Sequence, residues 1–350
     1  MADYVGMGAQ IVGNALRFGW YSGVHWLMDR ESARLGASPR YTPVRPVPSR
    51  DELMADLRRL MLADAALVRD GILPADDAAP GGLGDHLGRV RAMFADLPAS
   101  LGRRETEDTR TAEVLADPTG LPSYFTQDFH FQTGGYLSAE SARLYDVQVE
   151  TLFHGSAAAM RRAALWPIAE YVRTRDQRRL SLLDVACGTG RLLRQLRLAY
   201  PAMRLTGLDL STAYIAEAER HLGRLRPVTW LAANAEAIPL PDNCQDIVTT
   251  VFLFHELPPD VRRTVAREMA RVLKPGGRLI FVDSVQMGDK PGWDGMIEAF
   301  PVRFHEPYYR HYAIDDLNAL FRDVGLEPVS MDIAFMSKVM AWEKPSTETI

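Results

Sequence analysis

Residues 180–212 read LSLLDVACGTGRLLRQLRLAYPAMRLTGLDLST. Leu180 to Ala186 is an apolar run interrupted by an acid, Asp184; Gly188-Thr189-Gly190 follows at once, and Leu192, Leu193, Leu196 and Leu198 then recur at helical spacing. The order is strand, tight turn, helix. Glycine has no Cβ, so the backbone at 188 and 190 can take positive φ and let a ligand lie against main-chain atoms. Helix N-terminal amides and their dipole favour a nearby carboxylate or phosphate. A second apolar run, Leu205 to Leu208, ends in Asp209. That carboxylate belongs at the tip of the neighbouring strand, where it can accept both hydroxyls of a ribose. Two strand tips of an α/β fold therefore converge on one nucleoside.

Glycine spacing separates the two ligand classes that use such a turn. A dinucleotide fold wants G-x-G-x-x-G, but the positions here read Ala186, Gly188 and Gly190, with Leu193 where a third glycine belongs. Asp184 repels a pyrophosphate and can help hold the cationic amine of a methionine moiety. At these residues the chain resembles the class I S-adenosylmethionine-dependent methyltransferases, over roughly residues 150 to 345. The matching motifs are LLDVACGTG at 182–190, Asp209 after the second strand, Ala233-Asn234-Ala235-Glu236, and Val272-Leu-Lys-Pro-Gly-Gly-Arg-Leu279 at the turn into the fifth strand.

The resemblance implies a Rossmann-like seven-stranded sheet, mostly parallel, closed by a carboxyl-terminal antiparallel hairpin. It implies S-adenosylmethionine as cofactor, with Asp184, Ala186, Gly188 and Gly190 at the methionine end, Asp209 and Leu210 at the ribose, and Asn234, Ala235 and Phe252 nearby. The family more often has Asp where Asn234 stands, although an amide oxygen also accepts a hydrogen bond from the adenine amino group. The activity implied is methyl transfer to a small, largely apolar acceptor through an oxygen, sulfur or carbon nucleophile. An NAD-dependent reductase is the enzymatic alternative, and a catalytically silent cofactor-binding assembly subunit the non-enzymatic one.

The 350 residues, 47% hydrophobic and 24% charged, suit one core domain with a substantial appendage in a soluble protein. A formal charge of −5 gives no electrostatic reason to bind nucleic acid. Cys187 and Cys244 do not make a disulfide framework, which fits a cytoplasmic location. Cys187 reads as the small residue its turn needs rather than as a nucleophile.

Residues 1–123 form a mainly helical amino-terminal extension, 124–175 a lid with connecting helices, and 176–345 the cofactor-binding core with an acceptor insertion at 286–313. The nearly uncharged segment 4–28 reads as a helix or helix pair packed on the body or on a second subunit, which would give a homodimer. Arg17 and His25 interrupt it and its glycines oppose a long apolar helix, so a membrane role is disfavoured. Four prolines in 38–49 make a connector, Ser49 and Glu52 a capping box, and 74–88 a loop. A helical pattern follows within 89–120 and carries no visible chemistry.

YFTQDFHFQTGGYLS at 124–138 holds five aromatic residues and one histidine around Gly134-Gly135. By resemblance it is a lid over cofactor and acceptor, with Tyr124, His130, Phe131 and Tyr136 as candidate pocket residues; packing between appendage and core is the plainer reading. The next helical patterns are Ser138 to Phe153 and Ala157 to Val172, the second kinked or restarted at Pro167. Strand four, Asp246 to Leu253, leads into His255 and Glu256 at the edge where open α/β sheets bind ligands. His255 is placed to act as general base, which a phenol or enol acceptor needs and a thiol needs less; the opposing reading is a bond to backbone or cofactor. The insertion FPVRFHEPYYRHY at 300–312 is the second acceptor wall, through Arg303, His305, Tyr308, Tyr309 and His311. Arg303 and Arg310 suit a carboxylate. His305, Glu306 and His311 lack any diagnostic ligand spacing, so no metal is expected. The last helix begins at Asp315, and Val329 to Phe335 and Lys338 to Trp342 form the closing strands.

Overall fold

The computed structural model describes residues 2–37, 41–74, 82–110 and 120–346. Parts of the connector, of the 74–88 loop and of the stretch before Gly120 lie outside these described residues. Seven strands form one sheet in the order β3-β2-β1-β4-β5-β7-β6. They are β1 Ser181–Val185, β2 Arg204–Asp209, β3 Thr229–Ala232, β4 Gln245–Val251, β5 Leu273–Ser284, β6 Glu327–Ala334 and β7 Ser337–Glu343. The first five run parallel and β7 is antiparallel to both β5 and β6, so the sheet closes in the expected hairpin. Every residue of β1 is buried, as an unbroken apolar run between two helical layers requires. Strand order reverses between β1 and β4, and a cleft opens at their carboxyl ends.

Three helices make the extension: α1 Tyr4–Arg34, α2 Arg50–Arg69 and α3 Gly82–Thr106. Helices α4 Ala139–Leu152, α5 Ala157–Arg162 and α6 Leu165–Val172 join it to the core, and α7 Arg191–Ala199, α8 Thr212–Leu222 and α9 Pro259–Val272 cover the sheet. One carboxylate fastens the first layer. Asp64 of α2 accepts hydrogen bonds from Arg162 Nε at 2.6 Å and Nη2 at 2.9 Å, and from Asn14 and Gln10 of α1 at 2.8 Å each. A second anchor is Glu298, which accepts from the Tyr41 hydroxyl and from the Val44 and Arg45 amides. Beside it, a Cβ on Gly295 would lie 2.3 Å from the Arg45 carbonyl oxygen, so only glycine fits under the connector.

Several expectations change. Segment 4–34 is one continuous helix, not a pair. Gly8, Gly13, Gly19 and Gly23 face open space, and their low helix propensity is offset by Tyr21 and Val24 packing against Met93 and Val147. Among the described residues no helix is long and apolar enough to cross a membrane. The helical break precedes Pro167: α5 ends at Arg162, and the proline sits in the first turn of α6, where its missing N–H needs no partner. Helix α3 starts at Gly82, inside the expected loop. The last helix runs Leu317–Asp323 and is capped by Asp316, because Asp315 is taken by the buried Arg262 at 2.5 Å.

Removing one partner from a buried ion pair costs about 3–5 kcal/mol. Asp64→Ala is therefore expected to lower stability by that order, read as a fall in the urea midpoint. A midpoint equal to wild type would show that the extension is held elsewhere.

Candidate active site

The turn after β1 carries positive φ at Ala186, Gly188 and Gly190. This swings the Gly188 amide onto Asp209, whose Oδ2 accepts it at 2.8 Å while Oδ1 accepts the Ser211 amide at 2.8 Å. Burial pushes the Asp209 carboxyl up to about 6, against the pull of those amides. A cleft with about 800 Å³ of empty space, its open mouth included, lies over these strand tips. Ala186, Gly188, Asp209, Leu210, Asn234, Ala235 and Phe252 all line it, and Tyr124, Tyr136 and Glu256 line its other side. The Tyr124 hydroxyl donates to Glu236 at 2.7 Å, and Asn234 Oδ1 accepts the Glu236 amide at 2.9 Å, so segment 124–138 is joined to the 233–236 loop.

Two expected cofactor residues stand behind the wall. Asp184 accepts from the Thr249 hydroxyl at 2.7 Å, and burial pushes its carboxyl up to about 7. Gly190 faces α8: a Cβ there would lie 2.8 Å from Ala218 Cβ, so its glycine serves helix packing.

Beyond the cleft the lid, the β4 loop and the insertion meet in a cluster of acids and imidazoles. His130 Nε2 lies 3.0 Å from Glu306 Oε1 and 3.9 Å from Glu256 Oε1. The Tyr136 hydroxyl donates to Glu256 Oε1 at 2.5 Å. His255 is buried and off the cleft wall; its Nδ1 sits 2.5 Å from Asp283 Oδ1 and its Nε2 3.8 Å from Glu256 Oε1. Burial pulls the His255 imidazole down, but Asp283, Glu306 and Glu256 outweigh it and carry it up to about 10. Burial pushes the Glu306 carboxyl up to about 7, with His130 and His255 opposing. One nitrogen and two oxygens, from His130, Glu256 and Glu306, fall within 4.8 Å of one another. His130 and Phe131 both take left-handed φ, at 55° and 56°, a conformation that costs a bulky residue about 1–3 kcal/mol. Arg103, donating twice to the Phe131 carbonyl, and the His130 amide, donating to the His305 carbonyl, hold it there.

The remaining insertion residues do not gather at the cleft. His305 Nε2 pairs with Gln127 Oε1 at 2.9 Å, and His311, half exposed, meets Arg262 at 3.1 Å. Tyr308 accepts from Gln127, and the Tyr309 hydroxyl bonds Ser284. Arg303 donates to the Tyr41 carbonyl and lines, with His130 and Phe131, a second cavity on the far side of the lid. Sequence reasoning missed Tyr145 and Tyr214 on the cleft wall, which no motif marks. It also missed Asp283, although an acid closing an apolar strand is the signature that marked Asp209.

Residues 182–277 match a family model described as a methyltransferase domain. The ubiquinone/menaquinone biosynthesis C-methyltransferase of Methylobacterium nodulans is 36% identical over 168 residues, 46% of this chain and 63% of that protein. The demethylmenaquinone methyltransferase of Listeria welshimeri is 31% identical over 176 residues, 44% of this chain and 73% of that protein. The chain thus spans less than two thirds of the first relative's length and somewhat more of the second's. Human N-acetylserotonin methyltransferase, solved with its cofactor, shares the fold at 14% identity and a TM-score of 0.51, over 74% of this chain and 70% of its own.

The two raised carboxyls give opposite pH trends. A carboxylate must be ionised to accept ribose hydroxyls, so affinity for S-adenosylhomocysteine should fall as pH drops from 8 to 5, through about 6 for Asp209. The folded values of Asp184 and Asp209 both lie above the ordinary 3.8, so the folded state binds more protons in this window. Their contribution to the stability of the free protein is present at low pH and lost as pH rises through 6 and 7. Calorimetric titration and melting across this range check both signs, and Asp209→Asn should remove the affinity trend and the lower part of the stability trend.

Proposed function

The chain belongs to the class I S-adenosylmethionine-dependent methyltransferases, and on that footing we propose that it methylates a ring carbon of a small, largely apolar quinol or phenol. The observation that carries this reading is Glu256, which lines the cofactor cleft on one side and joins the acid and imidazole cluster on the other. The first relative is a C-methyltransferase, which favours carbon over oxygen or sulfur as the methylated atom.

A sulfonium is a good leaving group by itself, so most of the catalysis is alignment of the acceptor with the methyl carbon in a site closed to water. A phenolic ring carbon becomes nucleophilic as the ring hydroxyl gives up its proton. That proton passes to the Glu256 carboxylate, the C–CH₃ bond forms as the S–CH₃ bond breaks to give a dienone, and the ring regains aromaticity as the proton on the methylated carbon leaves to water and the ring oxygen takes back the proton held by Glu256. His130 and His255 lie within 4 Å of Glu256, and Glu306 is 3.0 Å from His130, so the proton has neighbouring groups to share it. His255, the base expected from sequence, acts one step back as a positioning residue. Asp283 fixes its Nδ1, and its Nε2 faces Glu256 rather than the cleft.

Incubation with radiolabelled S-adenosylmethionine and a reduced 1,4-naphthoquinol should give a ring-methylated product. Failure on every quinol and phenol, with the cofactor still bound, would leave the silent-subunit reading in its place. Loss of a positioned base costs about 100- to 10,000-fold, and Glu256→Gln should fall within that range in kcat with unchanged nucleoside affinity. In the wild type kcat/KM should climb with pH and level above about 7, where Glu306 is ionised. Glu306→Gln should flatten that limb, and a limb that persists in it would exclude Glu306.

A further inference from the structure

We propose that the second cavity binds the apolar remainder of the acceptor, a further ring or chain carrying neutral hydroxyl or carbonyl oxygen, which makes the amino-terminal extension part of the acceptor site. The proposal rests on the methyl-transfer reading for what is bound, but its geometry stands apart from that reading. The cavity holds about 1,100 Å³ of empty space including its mouth. Its apolar walls are Met28 of α1, Met93, Leu97 and Leu101 of α3, and Val149 and Leu152 of α4.

Three buried polar atoms on residues that line this cavity have no hydrogen-bond partner: His130 Nδ1, Gln148 Oε1 and Thr151 Oγ1. Buried polar groups are otherwise almost always paired; these three have almost no accessible surface in the free protein, so a ligand satisfies them where it displaces the cavity lining that covers them. An amide oxygen accepts, a hydroxyl donates and accepts, and an imidazole nitrogen does either according to its tautomer. Together they fit hydroxyl or carbonyl groups spaced along a hydrophobic frame. They do not fit an anion, because the acidic Asp29 and Asp96 share the lining with Arg104 and Arg303.

The cavity also abuts the chemistry. Tyr145 lines both it and the cofactor cleft. His130 lines the cavity and reaches the acid cluster, with Nε2 beside Glu256 and Glu306 and Nδ1 without a partner. A molecule that reaches Glu256 with its reactive ring can therefore extend past Tyr145 and satisfy Gln148 and Thr151 with the rest.

The test is calorimetric titration of the full chain, loaded with S-adenosylhomocysteine, with 1-naphthol as the probe. Leu97→Trp fills the cavity, as overpacking a closed space does, and should weaken naphthol binding about tenfold or more. Thr151→Val deletes one unpaired hydroxyl without changing shape, and should weaken binding about fivefold, the worth of one hydrogen bond. Nucleoside affinity should stay within about twofold in both, because no residue of this pair lines the cleft. The free Thr151→Val protein should melt no lower than wild type, which a hydroxyl with a structural role would not allow. Absence of naphthol binding to the wild type, or equal binding by all three proteins, would overturn the proposal. Cavity-dependent binding with no methylation of any ring keeps this inference and removes the reaction. Methylation of naphthol with an unchanged KM in Leu97→Trp does the reverse.

Discussion

The geometry at the sheet's carboxyl edge depends on the Asp283 carboxylate at the end of β5. It is fully buried and accepts the Phe254 amide at 2.7 Å, the Ser284 amide at 2.7 Å and His255 Nδ1 at 2.5 Å. A buried charge is tolerated only when neighbours satisfy it, so the β4 loop must fold back onto β5 to supply the amide and the imidazole. That fold turns the next residue, Glu256, toward the cleft, where the lid's Tyr136 hydroxyl can reach it. His130 and Glu306 then close around the same carboxylate from two further segments. One acid that faces no ligand thus sets where the cleft-facing acid stands.

The extension is tied to this arrangement by charge as well as by packing. Asp64 gathers α1, α2 and α5, Glu298 clamps the connector, and Arg89 of α3 spans Asp85 and Glu217 of α8. The Asp64 and Arg89–Glu217 ties are buried and, with the Glu298 clamp, join segments from 50 to 254 residues apart. The long helix α1 contributes little on its outer side, where Val5, Val12, Leu16 and Trp26 remain exposed. Its inner side holds α3 in place, and α3 in turn braces the lid through Arg103.

Much of the nucleoside cleft was legible in the sequence because its logic is local. Glycines next to a strand end, and acids that terminate apolar runs, act within a few residues of where they are read. The same reasoning put Asp184 and Gly190 on the wall, whereas packing against Thr249 and Ala218 claims them. The acceptor side was less legible because its contacts are long-range. His130 was singled out within an aromatic stretch and Glu306 within another, but nothing in their spacing tells that they meet. His305 and His311, beside Glu306 in sequence, turn to Gln127 and Arg262. The break before Pro167 and the unbroken α1 show tertiary packing overriding local propensity.

Every residue on the wall of the nucleoside cleft comes from position 124 or later, whereas Met93, Leu97 and Leu101 recur every fourth residue along one stripe of α3, beside the other cavity. Changes along that stripe leave the donor's surroundings untouched. On the proposal that this cavity takes part of the acceptor, a handful of helix positions could change which molecules are admitted without touching the strand tips where the donor is expected.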